Sequence, residues 1–186
     1  MKNKNIIRIA IVTGLILMIP LVAMQFVEGW NWSLIDFIAA GALIFSTGLS
    51  YELISRKGSN TRYKIAVGIA IGTAFLLTWI NMAVGFVGSG ANPPNVMYFG
   101  VIGVGIIGVT VARLQAKGMS YALFAMATAQ FLVPVIALIF WKPVIDDPVG
   151  IVGVFMLNLF FVMLFGISGL LFRHSSNNNS QIKASV

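Results

Sequence analysis

Cysteine is absent from this sequence, and histidine occurs once, at His174 near the C-terminal end. The first absence removes disulfides and thiolate metal sites. The second removes bis-histidine haem ligation and a Ser-His-Asp triad. Acidic residues are also scarce, five Asp and Glu against twelve Lys and Arg. No pair of His, Asp or Glu is spaced to hold a metal within an apolar stretch, so neither a metal nor another cofactor is expected. No apolar stretch carries a charge at its centre, which argues against a proton pump or a voltage sensor. Charged residues make up 9% of the chain, where a soluble domain carries about a quarter.

What the chain has instead is hydrocarbon. Hydrophobic residues are 59% of the total and the mean hydropathy is +0.95. A soluble fold of 186 residues has too little interior to hide that much apolar surface. In lipid, a helical span needs about 20 mainly apolar residues and bonds all its backbone amides internally. Six such runs are present, at about 6–26, 34–54, 65–87, 96–114, 120–140 and 149–172, followed by a polar, low-complexity tail at 173–186 that is expected to be disordered. The expected fold is therefore all-α, a polytopic bundle of six spans occupying residues 1–172. The first run is longer than the apolar region of a signal peptide and no A-x-A-like site follows it, so it reads as an uncleaved span.

The net charge of +7 raises the question of nucleic acid, and the placement of the cations answers it in favour of a lipid bilayer. Lys2, Lys4, Arg8, Arg56, Lys57, Arg62, Lys64, Arg113, Lys117, Arg173 and Lys183 fall on one side of a six-span drawing, and Lys142 alone on the other. For loops this short, that asymmetry predicts both termini in the cytoplasm. Such residues fix topology and meet anionic headgroups.

Local signals fit the same drawing. Ser33 with Asp36 three residues on is a capping box for the second span, and Glu52 stands four residues before Arg56 as a favourable helical pair. Pro20 and Pro134 predict kinks in the first and fifth spans, each removing one helical donor. Residues 88–95, GSGANPPN, form an uncharged hairpin turn between the third and fourth spans.

Gly100, Gly103, Gly105 and Gly108 crowd the fourth span, and the last three satisfy G-x-G-x-x-G. A dinucleotide fingerprint requires a preceding strand, a helix N-terminus and water for the pyrophosphate, none of which exists inside a lipid span. At 100° per residue these glycines cover about half the helix circumference, which predicts close packing on more than one side and a central position for this helix.

Four polar residues are candidate binding groups: Asp36, Asn81, Gln130 and Asn158. Ala70, Ala74 and Asn81 share a narrow arc, so Asn81 is expected to face neighbouring helices, because an unpaired amide in hydrocarbon costs several kcal/mol. Gln130 precedes Pro134 by four residues, so its own carbonyl loses its helical donor at the depth where its side chain adds an amide. Asp36 lies one turn inside the interface, either capping its helix or handling a proton. Each amide reads either as an interhelical hydrogen bond or as the lining of a polar cavity entered from outside, to which Gln25 would add.

The run Trp79, Asn81, Ala83 to Gly85, Gly88, Asn92, Pro93, Asn95, Met97 and Tyr98 resembles a family of small, uncharacterised multi-pass proteins of bacterial plasma membranes. The likeness covers about the middle third of the chain. It implies location and architecture, and carries no functional residue across. Two functions are left open. One is a structural or accessory membrane subunit, packed as a homo-oligomer or against a partner membrane protein. The other is a small carrier or permeation protein for a polar solute or ion. No catalytic constellation supports an enzyme.

Overall fold

The six apolar runs form six α-helices in the computed structural model, which describes residues 3–58, 60–88, 92–141 and 150–184, with side chains as far as residue 176. They are α1 (Asn3–Phe26), α2 (Leu34–Ser55), α3 (Thr61–Ala83), α4 (Pro93–Ala112), α5 (Ala116–Phe140) and α6 (Gly150–Ala184). No strand occurs among the described residues. All six helices are long and apolar enough to cross a membrane. The chain is an all-α, multi-pass integral membrane protein. The loop bearing Lys142, Asp146 and Asp147 lies outside the described residues, as does Lys2.

Two compact units divide the chain, Met1–Leu53 and Ile54–Val186. The first is an antiparallel pair made by α1 and most of α2. Glycines on α2 let the partner close in: a Cβ at Gly48 would lie 3.0 Å from Ile9, and one at Gly41 3.2 Å from Leu17. Asn5 donates through Nδ2 to the Glu52 carboxylate, tying the start of α1 to the end of α2. Ile11, Leu15 and Ile19 of α1 and Leu34, Ile35 and Ile38 of α2 are exposed. In water each would forfeit about 1.5–3 kcal/mol, so hydrocarbon is the solvent that makes this surface tolerable.

The second unit holds α3 to α6. The closest packing is between α5 and α6, with α4 against α5 and α3 against α6, while α3 and α4 meet little. The core runs through Val67, Leu77, Tyr98, Val101, Leu123, Val133, Phe161, Phe165 and Phe172. The central helices are thus α5 and α6, and not α4 as its glycines suggested. Gly105 and Gly108 do pack, against Met126 and Ala122 of α5, but Gly100 and Gly103 have nothing within 4 Å. Half a circumference of glycine is more than one neighbouring helix uses.

Helix boundaries also shift from the apolar runs. α3 begins at Thr61, capped by Asn60, whose Oδ1 accepts from the Tyr63 amide at 2.7 Å. The helix therefore starts in the basic loop, before the hydrocarbon does. It ends at Ala83, four residues short of the apolar run's end at Val87. α1 and α5 continue through Pro20 and Pro134. α6 does not stop at Phe172 but carries on through the residues expected to be disordered. Ser175 is buried there and donates to Asn60 Oδ1 at 3.0 Å, a tertiary partner that composition does not reveal.

Candidate polar site in the second unit

The break in α3 is set by Gly85, which adopts φ +84°, a left-handed conformation that favours glycine. The amides of Val84 and Gly85 both donate to Ile80 O, closing the helix. The chain then turns inward, so that Phe86 and Val87 are buried although they are no longer helical. Their backbone amides, buried and outside any helix, need acceptors.

Asn95 supplies the acceptor. Its Oδ1 accepts from the amides of Phe86 and Val87, each at 3.0 Å, and its Nδ2 donates to Val87 O at 3.3 Å. Asn92 Nδ2 donates to the same carbonyl at 3.3 Å. Asn81, near the end of α3, donates through Nδ2 to Asn95 O at 3.0 Å. Pro93 and Pro94 occupy the first two positions of α4, where a missing N–H costs nothing, and leave Asn95 in the first turn with its side chain free for the loop. The motif NPPN thus does more than break a helix: its second asparagine serves as the acceptor for the loop that precedes it.

One turn further along α4, the Phe86 ring sits 4.6 Å from the Tyr98 ring and 5.4 Å from that of Phe161. The Tyr98 hydroxyl donates to Asn158 Oδ1 at 3.1 Å, and Gln130 Nε2 donates to the same oxygen at 2.9 Å. Asn158 Nδ2 donates to Val154 O, one turn back on α6, at 2.8 Å. A single carboxamide oxygen, 1% exposed at the residue level, therefore joins α4, α5 and α6. Below it Ser168 Oγ donates to Ala66 O at 2.7 Å, linking α6 to α3.

Asn81, Gln130 and Asn158 are thus buried in one unit, with Gln130 and Asn158 in direct contact and Asn81 in the adjoining Asn95 network. Asp36 is not with them. It belongs to the first unit and is exposed, with Oδ2 accepting from the Ser33 amide at 2.7 Å and the Ser33 hydroxyl at 2.8 Å, while the Asp36 amide donates to Ser33 Oγ at 3.3 Å. This is a reciprocal capping box. Gln25 is exposed on α1.

The sequence reading gave no site role to Asn95, Tyr98 or Ser168. An available signal for Asn95 was that an asparagine directly after paired prolines sits in the first turn of a helix, where its amide can reach back to the loop. Chemically the site is a set of neutral amides and one phenol, suited to hydrogen bonding and lacking a carboxylate, thiol or imidazole. Two of its atoms, Asn81 Oδ1 and Gln130 Oε1, are buried without a hydrogen-bond partner. No protein-family model, curated protein or solved structure matches this chain.

Proposed function

We propose that this protein is a structural or accessory subunit of a membrane, acting through packing and not through chemistry. The observation that carries this reading is the state of Asn158. Its carboxamide oxygen has two acceptor positions, and Tyr98 and Gln130 take both. A residue placed to greet a solute would keep one free. Interhelical hydrogen bonds of this kind contribute about 0.6 kcal/mol each, up to about 1.7, which is the scale of glue. The open faces of Gly100 and Gly103 add a surface on which a second copy or a partner helix can lie close. The charge distribution favours both termini in the cytoplasm, and the resemblance in the α3 to α4 region favours a bacterial plasma membrane.

A second reading, a small carrier with a polar cavity, draws on the unpartnered oxygens Asn81 Oδ1 and Gln130 Oε1. Each acceptor would suit a water or a solute's N–H or O–H. Absence of native cysteine makes the readings separable, because a cysteine placed at position 81 or 158 is the only thiol in the chain. Under the packing reading, Asn81→Cys and Asn158→Cys resist an impermeant thiol reagent applied to sealed membranes, and purification in mild detergent brings down a stoichiometric partner or a homo-oligomer. Rapid labelling of both cysteines, together with a clean monomer stabilised by a particular solute, would establish the carrier instead.

A further inference from the structure

Tyr63 stands between two cations, Arg62 and Lys64, at the start of α3. Its hydroxyl donates to Leu114 O at 2.8 Å, and its ring meets that of Phe172 edge-on with centroids 5.0 Å apart. Leu114 follows Arg113 in the chain, and Phe172 precedes Arg173. One buried tyrosine therefore gathers three segments that are far apart in sequence, each with a cation next to the point of contact. Asn60 and Ser175 repeat the link between the first and third of these segments.

The turn carrying Arg113 is held in an uncommon shape. Arg113 and Leu114 have φ of 46° and 61°, two successive left-handed residues without a glycine. Such conformations are uncommon without glycine and persist only where the surroundings hold them; the hydrogen bond from Tyr63, with those of the Arg113 amide to Thr110 O and the Gln115 amide to Ala112 O, does so here. Lys117 follows one turn later, at the start of α5. Arg62, Lys64, Arg113, Lys117 and Arg173 are all exposed. From Ile54 onward the only acidic residues are Asp146 and Asp147, which lie in the α5 to α6 connection, outside the described residues. The cations at this end thus have no carboxylate of their own unit among the described residues.

We propose that this end of the second unit is a binding site for a phosphate-bearing anion, supplied by the headgroup of an anionic lipid such as phosphatidylglycerol. The chemistry is that of guanidinium and ammonium groups around a phosphodiester, with Arg113 offering the bidentate geometry that planar forks give to phosphate. Tyr63 is a positioning residue: it fixes the Arg113 turn against α3 and α6 without touching the lipid. This differs from a diffuse attraction of basic loops to a charged surface, because it assigns the binding to cations held in fixed relation by Tyr63. The proposal stands whether the protein is a packing subunit or a carrier.

The full chain, reconstituted in nanodiscs of phosphatidylcholine with or without phosphatidylglycerol, provides the test. The expected result is a higher unfolding midpoint with phosphatidylglycerol, and retention of that lipid by the purified protein in native mass spectrometry. Each cation removed near the anion should weaken binding about fivefold, the equivalent of about 1 kcal/mol. Arg113→Gln with Lys117→Gln should therefore lose most of the lipid-dependent shift, whereas Lys4→Gln with Arg8→Gln, an equal loss of charge from exposed positions on α1, should keep it. Tyr63→Phe, which retains the ring against Phe172, should reduce the shift, read as the difference between the same variant's midpoints with and without phosphatidylglycerol. Inorganic phosphate added to phosphatidylcholine discs separates the sources: no shift assigns the anion to lipid, and a shift matching that of phosphatidylglycerol supports the site but assigns it to a soluble phosphate. If the double variant fails to accumulate, loss of the wild-type shift at high salt together with the Tyr63→Phe result carries the test. Equal loss from the α1 control pair, or midpoints that do not depend on the lipid, would overturn the proposal.

Discussion

Asn95 Oδ1 lies 3.0 Å from the backbone nitrogens of both Phe86 and Val87, so one side-chain oxygen satisfies two consecutive amides of a buried loop. Asn95→Ala leaves both without an acceptor. Each orphaned donor costs about 1–3 kcal/mol. The expected loss is about 2–6 kcal/mol, read as a depressed unfolding midpoint in lipid or detergent. Asn92→Ala removes one donor to Val87 O and leaves that of Asn95, so both loop amides keep their acceptor.

The oxygen of Asn158 gives a graded series. Tyr98→Phe deletes one donor and leaves the bond from Gln130, so a loss of about 0.6–1.7 kcal/mol is expected. Asn158→Ala strands both the Tyr98 hydroxyl and Gln130 Nε2 and should exceed that loss clearly. A double-mutant cycle between positions 98 and 158 measures the coupling. A value of zero would mean that the bond contributes nothing to the bundle, and the packing reading would lose its main support.

The four α4 glycines should separate on substitution by alanine. At Gly108 the new Cβ would stand 2.6 Å from Ala122 Cβ and 3.1 Å from its Cα, a clash with backbone that costs about 1–3 kcal/mol. At Gly105 the nearest atom is Met126 Sδ, at 2.6 Å, on a flexible side chain that can move aside, so the loss is smaller. Gly100 and Gly103 meet nothing within 4 Å, and alanine there should be neutral or stabilise by up to about 1 kcal/mol through helix propensity. A pronounced loss at Gly100 or Gly103, accompanied by loss of an oligomer on cross-linking, would place a partner helix on that face.

Deleting the residues after Phe172 removes Ser175 and its bond with Asn60 and should lower the midpoint. Ser175→Ala isolates that bond, with an expected cost of about 1 kcal/mol. A midpoint equal to that of the full chain would show that α6 gains nothing from continuing past Phe172.

The number of helices and their transmembrane character were legible because they depend on local composition: an apolar run of sufficient length has to form a helix in lipid, whatever surrounds it. The capping box of Ser33 and Asp36 was legible for the same reason, since both partners lie within one turn. The inward orientation of Asn81 could be argued from helical spacing alone. Its partner could not, because Asn95 lies across a loop whose course depends on the left-handed turn at Gly85.

Sequence by itself thus determined the solvent of this protein and the count of its membrane-crossing helices, both of which follow from transfer free energies summed along the chain. Tertiary structure alone decided which polar groups meet: that Asn95 captures its own loop, that Tyr98 and Gln130 share Asn158, and that Tyr63 draws three basic segments together. The physical reason is range. Burial in lipid acts residue by residue, whereas a hydrogen bond holds only over a few ångströms, and which distant residues come that close is set by how the helices pack.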